Sequence, residues 1–252
     1  MKRYYYLHVD VIVAEQNATS FEQAMDQFVR EGAFLRFGQQ HDIELVVALK
    51  SENPFPYRKF QGFQSHVVSL ESGKPLPSYR YVHLWYIPDQ DDLDIAALMQ
   101  RSPDDDLYVR INSLVERETQ NLVWRVGWLS GPPQIVPSAG DRFVRVMRSF
   151  RSRNLSEYLF KAGALIPLLE LRNWHSLGHY QNVTGPLNTV TELWQTKNGT
   201  EERASMREAL QQPSATFEKT FVNPYLDELP MAEIRERLVL APYALAARRG
   251  AA

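Results

Sequence analysis

An α+β fold of two consecutive βαββαβ units is predicted by three features of this sequence. Stretches of strict two-residue alternation are each followed by helical spacing, and a Gly- and Pro-rich block at 131–140 interrupts both periods. The triplet His83-Leu84-Trp85 also recurs in form as Glu192-Leu193-Trp194.

The elements follow in order. From Arg3 to Val13 residues alternate, with Tyr5, Leu7, Val9, Val11 and Val13 on one face and Tyr4, Tyr6, His8 and Asp10 on the other. Thr19 and Ser20 before Glu22 and Gln23 resemble a capping box, and Phe21, Ala24, Met25 and Phe28 recur at helical spacing toward Gly32. Ile43 to Lys50 reads as a second strand. A long loop, 53–77, rich in Pro, Phe and Tyr, separates it from a third strand, Tyr81 to Ile87. Leu93, Ala96, Ala97 and Met99 then form a helical stripe, and Leu122 to Trp128 a fourth strand. After the break the order repeats. It runs through a strand Phe143 to Phe150, a helix with Asn154 and Glu157 at its start and Pro167 near its end, strands Trp174 to Gln181 and Leu187 to Gln195, and a helix Glu201 to Leu210. A second apolar helical face at Phe217, Phe221 and Tyr225 precedes a last strand, Arg237 to Tyr243. The expected units are 1–130 and 141–252.

Each unit has the element order of a ferredoxin-like repeat, whose helices cover one sheet face. Strands aliphatic on one face and aromatic-polar on the other imply that the second face is covered too, most simply by the other unit's sheet, which makes a barrel. The aromatic-polar face then looks inward.

With 28 Lys and Arg against 30 Asp and Glu, nothing attracts the chain to phosphate in general, so nucleic acid is not an expected partner. The acidic runs Asp91-Asp92 and Asp104-Asp105-Asp106 read as loop or helix-start charges, and no metal site is expected. The absence of Cys leaves oxygen and nitrogen side chains for any chemistry. The first apolar run is too short for a signal peptide or a membrane span, so the expected address is cytoplasmic, with no membrane partner.

The segment His179 to Leu210 (HYQNVTGPLNTVTELWQTKNGTEERASMREAL), with the strand and helix from Phe143 to Leu171, resembles the NIPSNAP family of the dimeric α+β barrel superfamily. In the first half only YVHLWYI and the helix after it fit. The resemblance implies a barrel with a central cavity, occurring as a single chain or a homodimer. It does not imply one activity, because the superfamily includes cofactor-free oxygenases, polyketide cyclases and haem-degrading enzymes.

The expected inward face selects the candidate residues. His8, Asp10 and His83 are candidates for catalysis, since imidazole beside carboxylate can move protons near neutral pH. Tyr6, Trp85, Arg145, Glu192 and Trp194 are candidates for substrate binding, with His83 and Glu192 on opposite walls between two indoles and Arg145 ready for a carboxylate or enolate. The bland alternatives are hydrogen-bonded wall residues and, for Arg145 with Arg142, Arg148, Arg151 and Arg153, a solvated basic strand edge. No phosphate loop, GxSxG or HExxH is present, and no histidine stands out as a haem ligand, so no cofactor is expected. The expected function is small-molecule binding by a cofactor-free cyclase, isomerase or oxygenase acting on an aromatic or polyketide-like substrate. The alternative is a scaffold whose aromatic loop, with Phe55, Tyr57, Phe60 and Phe63 beside Arg58 and Lys59, meets a protein partner.

Overall fold

A computed structural model of the chain describes residues 5–30, 44–57, 75–87, 106–126, 141–196, 203–211 and 214–245. Strand β1, Tyr5–Ala14, leads through a single 3-10 turn into α1, Ala18–Arg30. Thr19 and Ser20 therefore lie inside the helix instead of capping it. Phe21, Ala24, Met25 and Phe28 are buried, as their spacing requires. Strand β2, Glu44–Ser51, is followed by a short β3, Phe55–Tyr57, which pairs with the start of β4, Leu76–Ile87. The aromatic loop thus begins as a strand folded onto its own sheet; Arg58, Lys59, Phe60 and Phe63 lie outside the described residues, as does the stripe Leu93 to Met99.

Helix α2, Asp106–Ser113, starts at the last acid of the Asp104-Asp105-Asp106 run, where negative charge suits the helix dipole. Strand β5, Val115–Arg125, follows within two residues, so the fourth strand begins well before the expected Leu122.

The second half comprises β6, Arg142–Phe150; α3, Ser152–Glu170; β7, Trp174–Asn182; β8, Thr189–Thr196; α4, Arg203–Leu210; and β9, Pro230–Leu240. Between α4 and β9 one helical turn, Ala215–Phe217, widens into π-helical turns through Glu228. Pro167 stays inside α3, close enough to its end that few backbone bonds are affected. Asn154 does not cap α3; its amide donates to the Leu229 carbonyl at 3.3 Å. The last strand ends before Tyr243, which sits in the 3-10 turn Pro242–Leu245 that follows.

Strand order within the first half is β5-β1-β4-β2 and within the second β9-β6-β8-β7, the same ferredoxin-like order twice. β5 pairs with β7 and β2 with β9, so the two sheets close into an eight-stranded antiparallel barrel with β3 as an extra edge on β4. Both seams are short ladders, Val123–Arg125 on Tyr180–Asn182 and Leu49–Ser51 on Leu238–Leu240. Three cores result. Leu7, Val9 and Val11 pack outward against α1 and α2, and Val144, Val146 and Trp194 outward against α3 and the π-helical turns. Tyr6, Val82, Leu84, Val123, Phe143, Leu177, Tyr180, Leu193 and Leu238 fill the barrel.

The inward face of β1 is as expected, with Tyr6 inside and Leu7 outside. On β4 and β8 the expectation is reversed. Directly paired antiparallel residues share a face, and Val9 pairs with His83 and Leu7 with Trp85. His83 and Trp85 therefore lie on the helix-covered side, and the pairs Val146–Glu192 and Val144–Trp194 place Glu192 and Trp194 likewise. Much of the barrel interior is aliphatic, and the side beneath the helices carries Trp85, Trp174 and Trp194.

Candidate functional site

Three polar arrangements stand out. Inside the barrel, Arg145 is fully buried on β6. Its Nη1 donates to Asp10 Oδ1 at 2.5 Å, its Nε to Glu236 Oε2 at 2.7 Å, and Nη1 lies 3.5 Å from His8 Nε2. A guanidinium only donates, so Nε2 of His8 accepts and the ring proton is on Nδ1, 3.9 Å from Asp10 Oδ2. Burial pushes the His8 imidazole down to about 4, with Asp10 opposing and Arg145 reinforcing the shift. His8 is therefore neutral at pH 7. Burial alone would raise the Asp10 carboxyl, but Arg145 overrides it and the net shift is downward. Glu236 also accepts from Arg80 on β4. This ladder ties strands of the first half to β6 and β9 of the second.

Under the helices of the first half is a cavity of about 30 Å³, room for one or two waters. It is lined by Val9 and Val11 of β1, Phe21, Met25 and Phe28 of α1, His83 and Trp85 of β4, Ile111 of α2, and Val115 and Glu118 of β5. His83 is buried, and its Nε2 lies 2.6 Å from the Tyr243 hydroxyl. Burial, with Tyr81 and Glu22 adding to it, raises Tyr243 well above the usual phenol range. It stays protonated and can exchange donor and acceptor roles with the imidazole. Trp85 meets the His83 ring edge-on at 6.3 Å. His83 and Glu118 face an otherwise aromatic and aliphatic space, a combination suited to a flat, mainly apolar ligand with a polar edge.

The pairings Val9–His83 and Val146–Glu192 make these positions equivalent in the two repeats, so Val11 corresponds to Arg148. Val11 leaves a cavity. Arg148 fills one: fully buried, it donates from Nη1 to Glu192 Oε1 at 2.7 Å and to the Tyr158 hydroxyl, and from Nε to Glu233 Oε2 at 2.8 Å. Burial by itself lowers a guanidinium's affinity for its proton, but Glu192 reverses the direction and Arg148 stays charged. Glu192 also accepts from Trp194 Nε1 at 2.9 Å and Tyr225 at 3.0 Å, and His179 Nε2 lies 3.5 Å away. His179 is pushed down to about 3, first by burial and then by Arg148 and Arg125.

The expected single centre is thus divided among three places. Tyr6, His8, Asp10 and Arg145 lie inside the barrel. His83 and Trp85 lie under the first half's helices, and Glu192 and Trp194 under those of the second. His83 and Glu192 do not face each other across a cavity. Arg145 is engaged by two carboxylates, and Arg148, which the alternative reading put on a solvated edge, is among the most buried side chains. Tyr243, Glu118, Glu236 and Arg148 were missed. Arg148 was legible, since its parity with Val144 and Val146 places it on the covered face, where a charge requires a partner. Tyr243 enters from a turn after the last strand and carries no local signal.

Closed barrel and helix-covered pockets together define an α+β barrel protein of two fused ferredoxin-like repeats, and solved structures share this architecture. A candidate monooxygenase from Fusobacterium nucleatum subsp. nucleatum superposes with a TM-score of 0.57 at 12% identity, covering 96% of this chain and 94% of its own. An anthrone oxidase-like protein superposes at 0.50 and 11% identity, covering 95% and 92%. A NIPSNAP family protein from Agrobacterium tumefaciens aligns with only 39% of this chain and 91% of its own, at 22% identity and a TM-score of 0.31. At these identities the likeness is one of fold. No protein-family model and no curated protein matches the chain. Among the described residues no helix is long and apolar enough to cross a membrane, and no group of His, Asp and Glu is arranged to hold a metal ion.

Proposed function

We propose that this chain is a small-molecule enzyme of the cofactor-free oxygenase, isomerase or cyclase type, related to NIPSNAP proteins in its second half, with its reaction centre in the first half's helix-covered pocket. The observation carrying this reading is the asymmetry between repeats. Equivalent positions hold a cavity beside His83 in one and the Arg148–Glu192 pair in the other. A chain needing only stability has no reason to leave an imidazole beside the open space.

His83 takes a proton from an acidic C–H or hydroxyl of an aromatic substrate. Once protonated, it donates from both ring nitrogens, and the Tyr243 oxygen 2.6 Å from Nε2 becomes the acceptor. The substrate carbanion can be reprotonated elsewhere, attack its own carbonyl, or pass electrons to dioxygen. With anthrone the last route converts one CH2 and one O2 into a C=O and one water, balanced without a cofactor. Entry requires Met25 and Phe28 of α1 to move aside, because the space as it stands holds only water. The chain is expected in the cytoplasm, with its units meeting near 131–140.

The test is anthrone oxidation followed by absorbance and oxygen uptake, with His83→Gln as the variant. Loss of a general base should lower the rate about 100-fold or more while circular dichroism is unchanged. Equal rates for both proteins would remove His83 from the reaction. No turnover of anthrone, together with no turnover of other acidic tricyclic ketones, would contradict the oxygenase form.

A further inference from the structure

The barrel wall has an opening that the reading above does not use. β2 pairs with β9 only through Ser51, whereas β9 runs on along β6 to Pro230. Where the two strands part, a cleft of about 360 Å³ is lined by Ser51, Asn53, Phe55, Arg80, Glu236 and Arg237, among others. This is the size of a small-ligand site, and it reaches the outer end of the buried ladder.

Arg80 is the centre of the cleft. Its guanidinium lies over the Phe55 ring at 5.4 Å, and its Nη1 donates to Glu236. Its backbone N–H donates to the Ser51 hydroxyl at 3.1 Å. Nε and Nη2 have no hydrogen-bond partner among the described residues, on a side chain that is 27% exposed. Arg145 next to it has Nε, Nη1 and Nη2 committed to Asp10 and Glu236. The charges do not balance here. Among the described residues, Arg80, Arg145 and Arg117, which acts on Arg80 electrostatically, face the carboxylates of Asp10 and Glu236, and His8 is neutral at pH 7. Glu52, also in the cleft, is paired with Arg142. An excess of positive charge, a guanidinium edge with donors to spare, the Ser51 hydroxyl proton and an aromatic floor together match a planar anion.

We propose that this cleft is a binding site for a small carboxylate carrying a flat, unsaturated body. The carboxylate is held by Nε and Nη2 of Arg80 and the Ser51 hydroxyl, and the body lies against Phe55. The site is separate from the His83 pocket, and helix-facing and barrel-facing residues divide the two.

The experiment is calorimetric titration of the whole protein at low ionic strength with benzoate and, separately, inorganic phosphate, acetate and neutral benzamide. Benzoate should bind saturably, acetate more weakly and benzamide not at all, with affinity falling as salt rises. Arg80→Gln should weaken benzoate about tenfold or more, the loss of a charge-assisted pair. Arg80→Lys, which keeps the charge and the contact with Glu236, guards against a folding defect and should still lose several-fold, because the planar fork is gone. Phe55→Leu should weaken benzoate but leave acetate unchanged. His83→Gln should leave benzoate affinity unchanged, which separates this site from the proposed reaction centre. The proposal is overturned if no carboxylate binds at tens of millimolar, if benzamide binds as well as benzoate, if phosphate binds more tightly than benzoate, or if folded Arg80→Lys protein binds benzoate with full affinity.

Discussion

Replacing Arg148 by Met removes the cation that fills the second repeat's pocket and leaves Glu192 charged with no cation bonded to it. Glu192 and Arg148 are both fully buried, 2.7 Å apart. Breaking such a pair on one side costs about 3–5 kcal/mol. Trp194 and Tyr225 still donate to the carboxylate, which favours the lower end, about 3 kcal/mol. Glu233, only partly buried, loses Arg148 but keeps Arg235, at little further cost. Against a typical total of about 5–15 kcal/mol this is a large fraction, and for a chain of this size it lowers the melting temperature by roughly 6–12 °C. Urea denaturation at pH 7 gives the free energy directly. The companion variant Arg148→Met/Glu192→Gln removes the buried charge as well, so it should be more stable than Arg148→Met alone, the sign expected for coupled residues. A loss below about 1 kcal/mol for the single variant, or a double variant no more stable than the single, would refute the idea that a buried ion pair fills this pocket.

Two further outcomes follow from the buried histidines and the bulge in β7. His8 and His179, with values near 4 and 3, stay neutral in the folded chain, while the unfolded chain protonates both near pH 6.5. Stability is therefore full above pH 6.5 and falls as the pH drops toward 4, by about 2 kcal/mol per histidine at pH 5. Denaturation at pH 7 and pH 5 should show that slope, His8→Gln should flatten it, and equal slopes for the two proteins would contradict the assignment. Gly178 has φ +140° where the β7–β8 register shifts, and an added Cβ would lie 2.6 Å from the Tyr180 hydroxyl. Gly178→Ala should cost about 1–3 kcal/mol in a denaturation measurement, and a neutral result would contradict the strained geometry.

Much of the fold could be read from the chain because periodicity reports which faces are covered. Leu7, Val9 and Val11 alternate with His8 and Asp10, and the contrast in polarity gave the correct faces of β1. β4 offers no such contrast. Tyr81, His83 and Trp85 alternate with Val82, Leu84 and Tyr86, both sides pack on apolar neighbours, and polarity selects the wrong one. Only the pairing with β1 decides it, and pairing is a long-range property. Strict alternation does not give the faces of β7, for a local reason: the register shift at Gly178 puts Leu177 and Tyr180 inside and Trp174 outside. Glycine within a strand is a known sign of a bulge. The residue types of the candidate site could be read from the sequence, but not which of them meet. His83 and Tyr243 meet across 160 positions of sequence, and Asp10 and Arg145 across 135.

The most direct test of the proposed reaction centre is to locate bound ligand by NMR. The imidazole signals of His83, His8 and His179 are assigned through single His→Gln variants, and the protein is then titrated with a planar tricyclic ketone. Saturable shifts at His83 and at the Met25 methyl, with His8 and His179 unmoved, are the predicted result. Saturable shifts confined to His8 or His179, or binding that leaves His83 unchanged, would place the ligand elsewhere and contradict the proposal.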